Sequence, residues 1–302
     1  MEFLTEPWAW WIEPFASNPF MRRALYAGLL AVLSCSIIGT WVVLRGLSFL
    51  GDALAHGVLP GIAIATILGG NVTLGALLAA LVVVGGIGGL RRYSPLPTDT
   101  AIGLLFVGML ALAVVIMSGQ SGSYGGDLTA LLFGSITGVD DADIQRQIIT
   151  TAISAGGSLL LYRAFLVLTF NETQAQMLGL RPRLAHFLLL ALLAVAIVSS
   201  FEVVGTLLVF ALLIGPPATA ALLLRRVPLI MAAAVLLGSI TTTVGILVSY
   251  HHDTAAGGTM ALSSVALFLA VLVLKVLGRA AVERLRPAQT RTGSAPTSAA
   301  TP

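Results

Sequence analysis

The sequence predicts an all-α polytopic transmembrane bundle of about nine spans, and three observations carry that prediction. Hydrophobic residues make up 57% of the 302 and charged residues only 10%. Mean hydropathy is +0.99, more apolar surface than a soluble core can use. The apolar runs also come in span-length pieces separated by basic or Gly/Pro-containing breaks. At about 20–25 residues per span plus loops, the chain has room for roughly eight to ten helices.

Residues 1–21 form an N-terminal interfacial segment. Trp8, Trp10 and Trp11 stand among Glu6 and Glu13, an aromatic amphipathic pattern suited to a headgroup boundary or to the flank of a first span. Pro7, Pro14 and the acidic residues Glu2, Glu6 and Glu13 precede Pro19 without a basic n-region, so no cleavable leader is expected. A transmembrane domain follows over residues 22–278. Its first four spans are expected at Arg23–Leu44, Leu47–Leu68, Val72–Leu90 and Ala101–Ser118, with breaks marked by Arg45 and Arg91–Arg92. A Gly/Ser-rich stretch then leads to Leu128–Gly138, which is too short to cross and is expected to be re-entrant or interfacial. The fifth span is read as Ile148–Phe170, and the polar loop Asn171–Arg183 separates it from the sixth, Leu184–Ser200. The seventh, Val203–Leu224, is expected to be interrupted or kinked at Gly215–Pro216–Pro217. The eighth is Pro228–Tyr250 and the ninth Met260–Leu277. Residues 279–302 are read as a cytoplasmic tail, disordered from Pro287 by its Ala/Thr/Ser/Pro composition.

Alternation over nine spans puts Arg45, Arg91, Arg92, Arg181, Arg183, Arg225, Arg226, Lys275 and Arg279 at one end of the bundle. By the positive-inside rule that end faces the cytoplasm, which makes this a multi-pass protein of the cell membrane. Arg22, Arg23 and Arg146 are exceptions at the outer end. The net charge of +3 is spread through the loops and gives no basic patch for nucleic acid. Cys35 is the only cysteine, which excludes an intrachain disulfide and a thiolate metal cluster.

Within the second span, Gly51–Gly61 reads GDALAHGVLPG. Asp52 and His56 stand four residues apart, on one helical face one turn from each other. An ionisable group in hydrocarbon costs about 2.5–3.5 kcal/mol on insertion scales and is normally set toward a partner, cavity or pathway. Oxygen beside nitrogen suits borderline divalent ions such as Mn²⁺ or Zn²⁺. Pro60 and the glycines predict a kinked or discontinuous helix. Two readings stand at this point: a transport site, or a pair that satisfies only itself.

The loop Thr169–Leu180, TFNETQAQMLGL, carries capping chemistry: Asn171 as N-cap, Glu172 in the first turn, and Gly179 to end a short helix. Ala175, Met177 and Leu178 give that helix a small apolar face, the shape either of a partner-docking element or of a plain capped connector. His251, His252 and Asp253 stand at an outer span end, where an entry cluster or a solvated loop are both open. Glu202, near the outer boundary, is read as a weaker metal candidate or as an interfacial side chain. His186 beside Arg183 reads as interfacial, and Asp140, Asp141 and Asp143 form an acidic outer patch.

Taken together, PFMRRAL (Pro19–Leu25), GLSFLGDALAHGVLPG (Gly46–Gly61), LLFGSITGV (Leu131–Val139), TFNETQAQMLGL, VVGTLLVFALLIGPPATA (Val203–Ala220) and SYHHD (Ser249–Asp253) resemble the membrane permeases of the ABC importer family for manganese, zinc and iron. The resemblance implies a type II ABC importer permease fold. It implies that two copies of the chain form the pathway, that separate ATP-binding subunits dock on the cytoplasmic loops, and that an extracytoplasmic protein delivers the metal. By position, Asp52 and His56 are the implied ligands, with Glu202, His252 and Asp253 as weaker ones. The implied coupling element lies at about 169–182, with Asn171, Glu172, Ala175, Leu178 and Gly179 in it. The transported divalent ion is the only metal expected; no permanent cofactor is implied. The chain departs from the family pattern in two places: Thr254-Ala255-Ala256-Gly257 lacks the usual proline, and Asn171-Glu172-Thr173 stands where Asp-Pro-Glu is commoner.

The chain has no GxxxxGK[ST] phosphate loop and no HExxH helix, so neither an ATP site nor an intramembrane metalloprotease is expected from it. A secondary, ion-coupled metal transporter is the competing class. It would require further mid-span carboxylates to carry coupling protons, and the chain lacks them.

Overall fold

The computed structural model describes residues 7–93, 97–118, 138–170, 177 and 181–285. Every element among them is helical: α1 (Pro7–Trp11), α2 (Glu13–Ser17), α3 (Pro19–Leu44), α4 (Ser48–Gly57), α5 (Leu59–Ile67), α6 (Val72–Tyr93), α7 (Thr98–Ser118), α8 (Asp141–Leu160), α9 (Tyr162–Phe170), α10 (Pro182–Val204), α11 (Thr206–Leu223), α12 (Val227–His252) and α13 (Ala256–Leu285). Eight helical units are long and apolar enough to cross a membrane, α4 and α5 together being one of them; a ninth is added if α8 and α9 count as one bent span. The Leu128–Gly138 segment and the Thr169–Leu180 loop fall almost wholly outside the described residues, as does the tail beyond Leu285.

α3 is the central element. Ala27, Ala31, Val32, Cys35, Ile38 and Trp41 on it are fully buried, and α8, α10, α11 and α12 pack around it. α7 and α13 form the periphery. Leu104, Val107 and Val115 on α7, and Leu262, Leu269 and Val273 on α13, are exposed, a surface suited to acyl chains rather than water.

Contacts at the two ends confirm the alternation. At one end, Arg23 on α3 pairs with Asp141 at the start of α8 at 3.1 Å, and Asn18 donates to the Tyr250 hydroxyl of α12 at 3.3 Å. At the other, Arg45 meets His186 of α10 at 3.0 Å and Lys275 of α13 donates to the Leu222 carbonyl of α11. The start of α3 and the start of α8 therefore share an end, as nine crossings require. Two exceptions to the positive-inside count are also explained, because Arg23 pairs with Asp141 and Arg146 lies 3.8 Å from Asp143. The acidic patch has a local role as well. Asp140 caps α8 in a reciprocal box with Asp143, and the Asp143 backbone N–H holds the Asp140 carboxyl below its ordinary range.

One expectation is corrected and another gains detail. The fifth span, expected over Ile148–Phe170, corresponds to α8 and α9 together, which meet at Leu161 with a bend of 63°. Gly156–Gly157–Ser158 lies one turn before the bend, the composition at which helices kink. The seventh span is not interrupted, since α11 runs unbroken through Pro216 and Pro217. Pro217 has no N–H for the Leu213 carbonyl, and that oxygen sits against Gly39 of α3, where any Cβ would overlap it. Close approach of α3 covers the carbonyl oxygen that Pro217 leaves without its helical donor.

Polar side chains join α3, α8 and α10 inside the bundle. Gln147 Nε2 donates to Ser200 Oγ at 3.2 Å, and Ser200 also receives the Cys35 thiol at 3.7 Å. The Trp41 indole N–H donates to Ser158 Oγ at 2.8 Å, both groups buried. Interhelical hydrogen bonds in membranes average about 0.6 kcal/mol, while an orphaned buried donor costs about 1–3 kcal/mol. Ser158→Ala removes the partner and keeps the indole, so it is expected to cost about 1–2 kcal/mol. Thermal unfolding of the detergent-solubilised chain measures this; an unchanged midpoint would show that the indole finds another acceptor.

Candidate functional site

α4 carries the Asp52–His56 pair. Leu50, Gly51, Ala53, Leu54, Ala55 and Gly57 are all buried, Phe49 is exposed, and the Asp52 and His56 side chains are 28% and 24% exposed. Gly51 brings the helix against Leu213 and Phe210 of α11, and Gly57 brings it against Val83 of α6. The expected discontinuity is no more than a local turn at Val58, between α4 and α5: Val58 keeps helical dihedrals and its N–H still reaches the Leu54 carbonyl at 3.2 Å. Pro60 cannot donate to the His56 carbonyl one turn back. Beyond Val58, α5 and α6 are fastened by reciprocal close packing: Gly61 lies against the Gly75 carbonyl and Gly75 against the Gly61 carbonyl, with Ala65 and Ala79 one turn on. Two small-xxx-small stripes make this contact.

His56 Nε2 lies 3.5 Å from Asp52 Oδ1, beyond the range of a good N–H···O bond. His56 Nδ1 is buried without a hydrogen-bond partner. The edge of Phe106 from α7 covers the imidazole, ring centroids 5.7 Å apart, and Phe106 in turn packs on Phe49 at 5.9 Å. The result is one carboxylate and one imidazole, fixed in register by a single helical turn, walled by an aromatic ring and still reachable.

The other candidates lie apart from this pair. His252 and Asp253 are exposed at the end of α12, where Asp253 takes a left-handed φ of 49° in the turn toward α13. Asp253 and His251 line a cavity of about 640 Å³ with Phe20 and Tyr250. His251 is engaged with the N-terminal segment: it stacks on Trp10 with centroids 4.4 Å apart and reaches the Trp10 carbonyl at 3.2 Å. The Glu202 side chain lies outside the described residues, as do Asn171, Glu172, Ala175, Leu178 and Gly179. Among the described residues no group of three or more His, Cys, Asp or Glu side chains is placed to hold a metal ion. Sequence reasoning missed Phe106, which has no local signal. It also missed the Gly61/Gly75 fastening, which the GxxxA spacing on both helices signals.

The fold, with an ionisable pair held on an intramembrane helix, is that of a polytopic membrane transport protein. A family model described as the ABC 3 transport family matches residues 17–275, and the chain belongs to that family. The chain is similar to the manganese transport system membrane protein MntC of Halalkalibacterium halodurans, 34% identical over 85% of this chain and 87% of that one. It is also similar to the chelated iron transport system membrane protein YfeD of Yersinia pestis, 31% identical over 86% and 87% of the two chains. Among solved structures, PsaBC from Streptococcus pneumoniae in complex with Fab superposes with a TM-score of 0.79 at 30% identity, covering 87% of this chain and 94% of that one.

Proposed function

We propose that this chain is the membrane permease of an ATP-driven importer that moves a divalent transition metal, Mn²⁺, Zn²⁺ or Fe²⁺, into the cytoplasm. The observation that carries the reading is the Asp52–His56 pair. Two donors 3.5 Å apart, each about 2.1 Å from one ion, subtend about 113° at it. That spacing, too long for a hydrogen bond, accommodates a bridging cation. The relatives named for manganese and for chelated iron support the same class of cargo.

Two ligands do not complete the shell of four to six that such ions take. A second copy of the chain brings a second Asp52 and His56 across a two-fold axis, and water can fill the rest. ATP hydrolysis is assigned to a separate subunit docked at residues 169–182, with Asn171, Glu172, Ala175, Leu178 and Gly179 as the coupling residues. An extracytoplasmic metal-binding protein delivers the ion to the outer end.

The test is uptake into proteoliposomes carrying the permease with its ATP-binding subunit, read by ICP-MS across Mn, Zn and Fe. Accumulation is expected to require ATP and both subunits. Accumulation by the permease alone, driven by a proton gradient, would replace this reading with a secondary transporter.

A further inference from the structure

α12 leaves an apolar groove along about its first two-thirds. The stripe Pro228, Met231/Ala232, Val235/Leu236, Ser239/Ile240 and Thr243/Val244 forms one wall of a cavity of about 900 Å³. Ile37 of α3 is its floor, Leu159 and Tyr162 form the opposite wall, and Trp11 lines the far end. The groove is dry by construction. Of its three hydroxyls, the two on α12 are spent within the helix, Ser239 donating to the Val235 carbonyl at 2.8 Å and Thr243 to the Ser239 carbonyl at 2.8 Å, and the third is the Tyr162 phenol. In a bilayer such a space is filled by hydrocarbon, either a helix or an acyl chain.

From Pro228 to Val244 the groove runs about 24 Å at the helical rise, longer than the roughly 15 Å depth of one hydrocarbon leaflet, so an unbranched acyl chain can lie along it lengthwise. Charge identifies the headgroup. Exposed Arg226 stands two residues before Pro228, and exposed Arg163 directly follows Tyr162, so both arginines flank the end opposite Trp11. That is the end carrying the bundle's basic residues, where an anionic phosphate is favoured.

We propose that the groove between α12 and the α8–α9 elbow is a binding site for an anionic phospholipid, its acyl chain along the α12 stripe and its phosphate at Arg226 and Arg163. The test uses the full chain in nanodiscs of equal phosphatidylglycerol and phosphatidylcholine, released for native mass spectrometry. The wild-type chain is expected to retain phosphatidylglycerol over phosphatidylcholine by at least about fivefold, the preference one arginine near the surface supplies. Arg226→Gln, which leaves the groove walls intact, is expected to erase most of that preference while lipid is still retained. Ser239→Trp is expected to reduce total retained lipid by a similar factor without changing the elution profile. A wild-type chain with no headgroup preference overturns the proposal. So does efficient disulfide cross-linking of Ser239→Cys to a second copy, which would show that protein covers the groove.

Discussion

His56→Ala is expected to lower ATP-driven metal uptake by at least about 100-fold, because loss of a mere supporting partner of a metal ligand already costs about 10–100-fold. Asp52→Asn is expected to do nearly as much. It preserves size and one oxygen donor but removes the negative charge that offsets the dehydration of a divalent ion. Both side chains are about a quarter exposed, and His56→Ala gives up chiefly the ring contact with Phe106, so assembly should survive either change. The measurement is initial uptake by ICP-MS at matched permease abundance. If both variants assemble and import at the wild-type rate, the pair is structural, and the pathway ligands must be sought toward Glu202, His252 and Asp253.

Gly39→Val is expected to be the most damaging single substitution in the core, at about 3 kcal/mol or more. Ordinary overpacking costs about 1–3 kcal/mol because side chains can shift. Here the obstacle is the Leu213 backbone carbonyl, held in place by a helix that already lacks one internal hydrogen bond at Pro217. The expected outcome is a large fall in the melting midpoint of the solubilised chain, or loss of monodisperse protein. Gly85→Ala is the matched control, since a Cβ there meets nothing within 4 Å, and it should lie within about 0.5 kcal/mol of wild type. Equal melting of Gly39→Val and wild type would show that α3 and α11 do not approach as described.

Hydropathy made the spans legible, because a bilayer imposes one length on every crossing. The basic residues at one end made the orientation legible, because translocation disfavours them. The Asp52–His56 pair was legible for a simpler reason: both donors lie in one helical turn, and i,i+4 geometry needs no tertiary information. What was not legible depends on partners far away in the chain. The close packing of α11 at Leu213 depends on Gly39 of α3, and the role of Arg23 rests on Asp141, 118 positions on. His251 reads as a metal candidate until Trp10, 241 positions away, is seen stacked on it. The bend at Leu161 had a compositional hint in Gly156–Gly157, but nothing local sets its angle.

Val58, where α4 gives way to α5, falls two residues beyond His56, so Asp52 and His56 share one helical turn on the near side of it. α5 is fastened to α6 at Gly61 and Gly75. A change in the tilt of α5 and α6 therefore leaves the backbone spacing of the two donors as it is, and only their own side-chain torsions set the gap between carboxylate and imidazole.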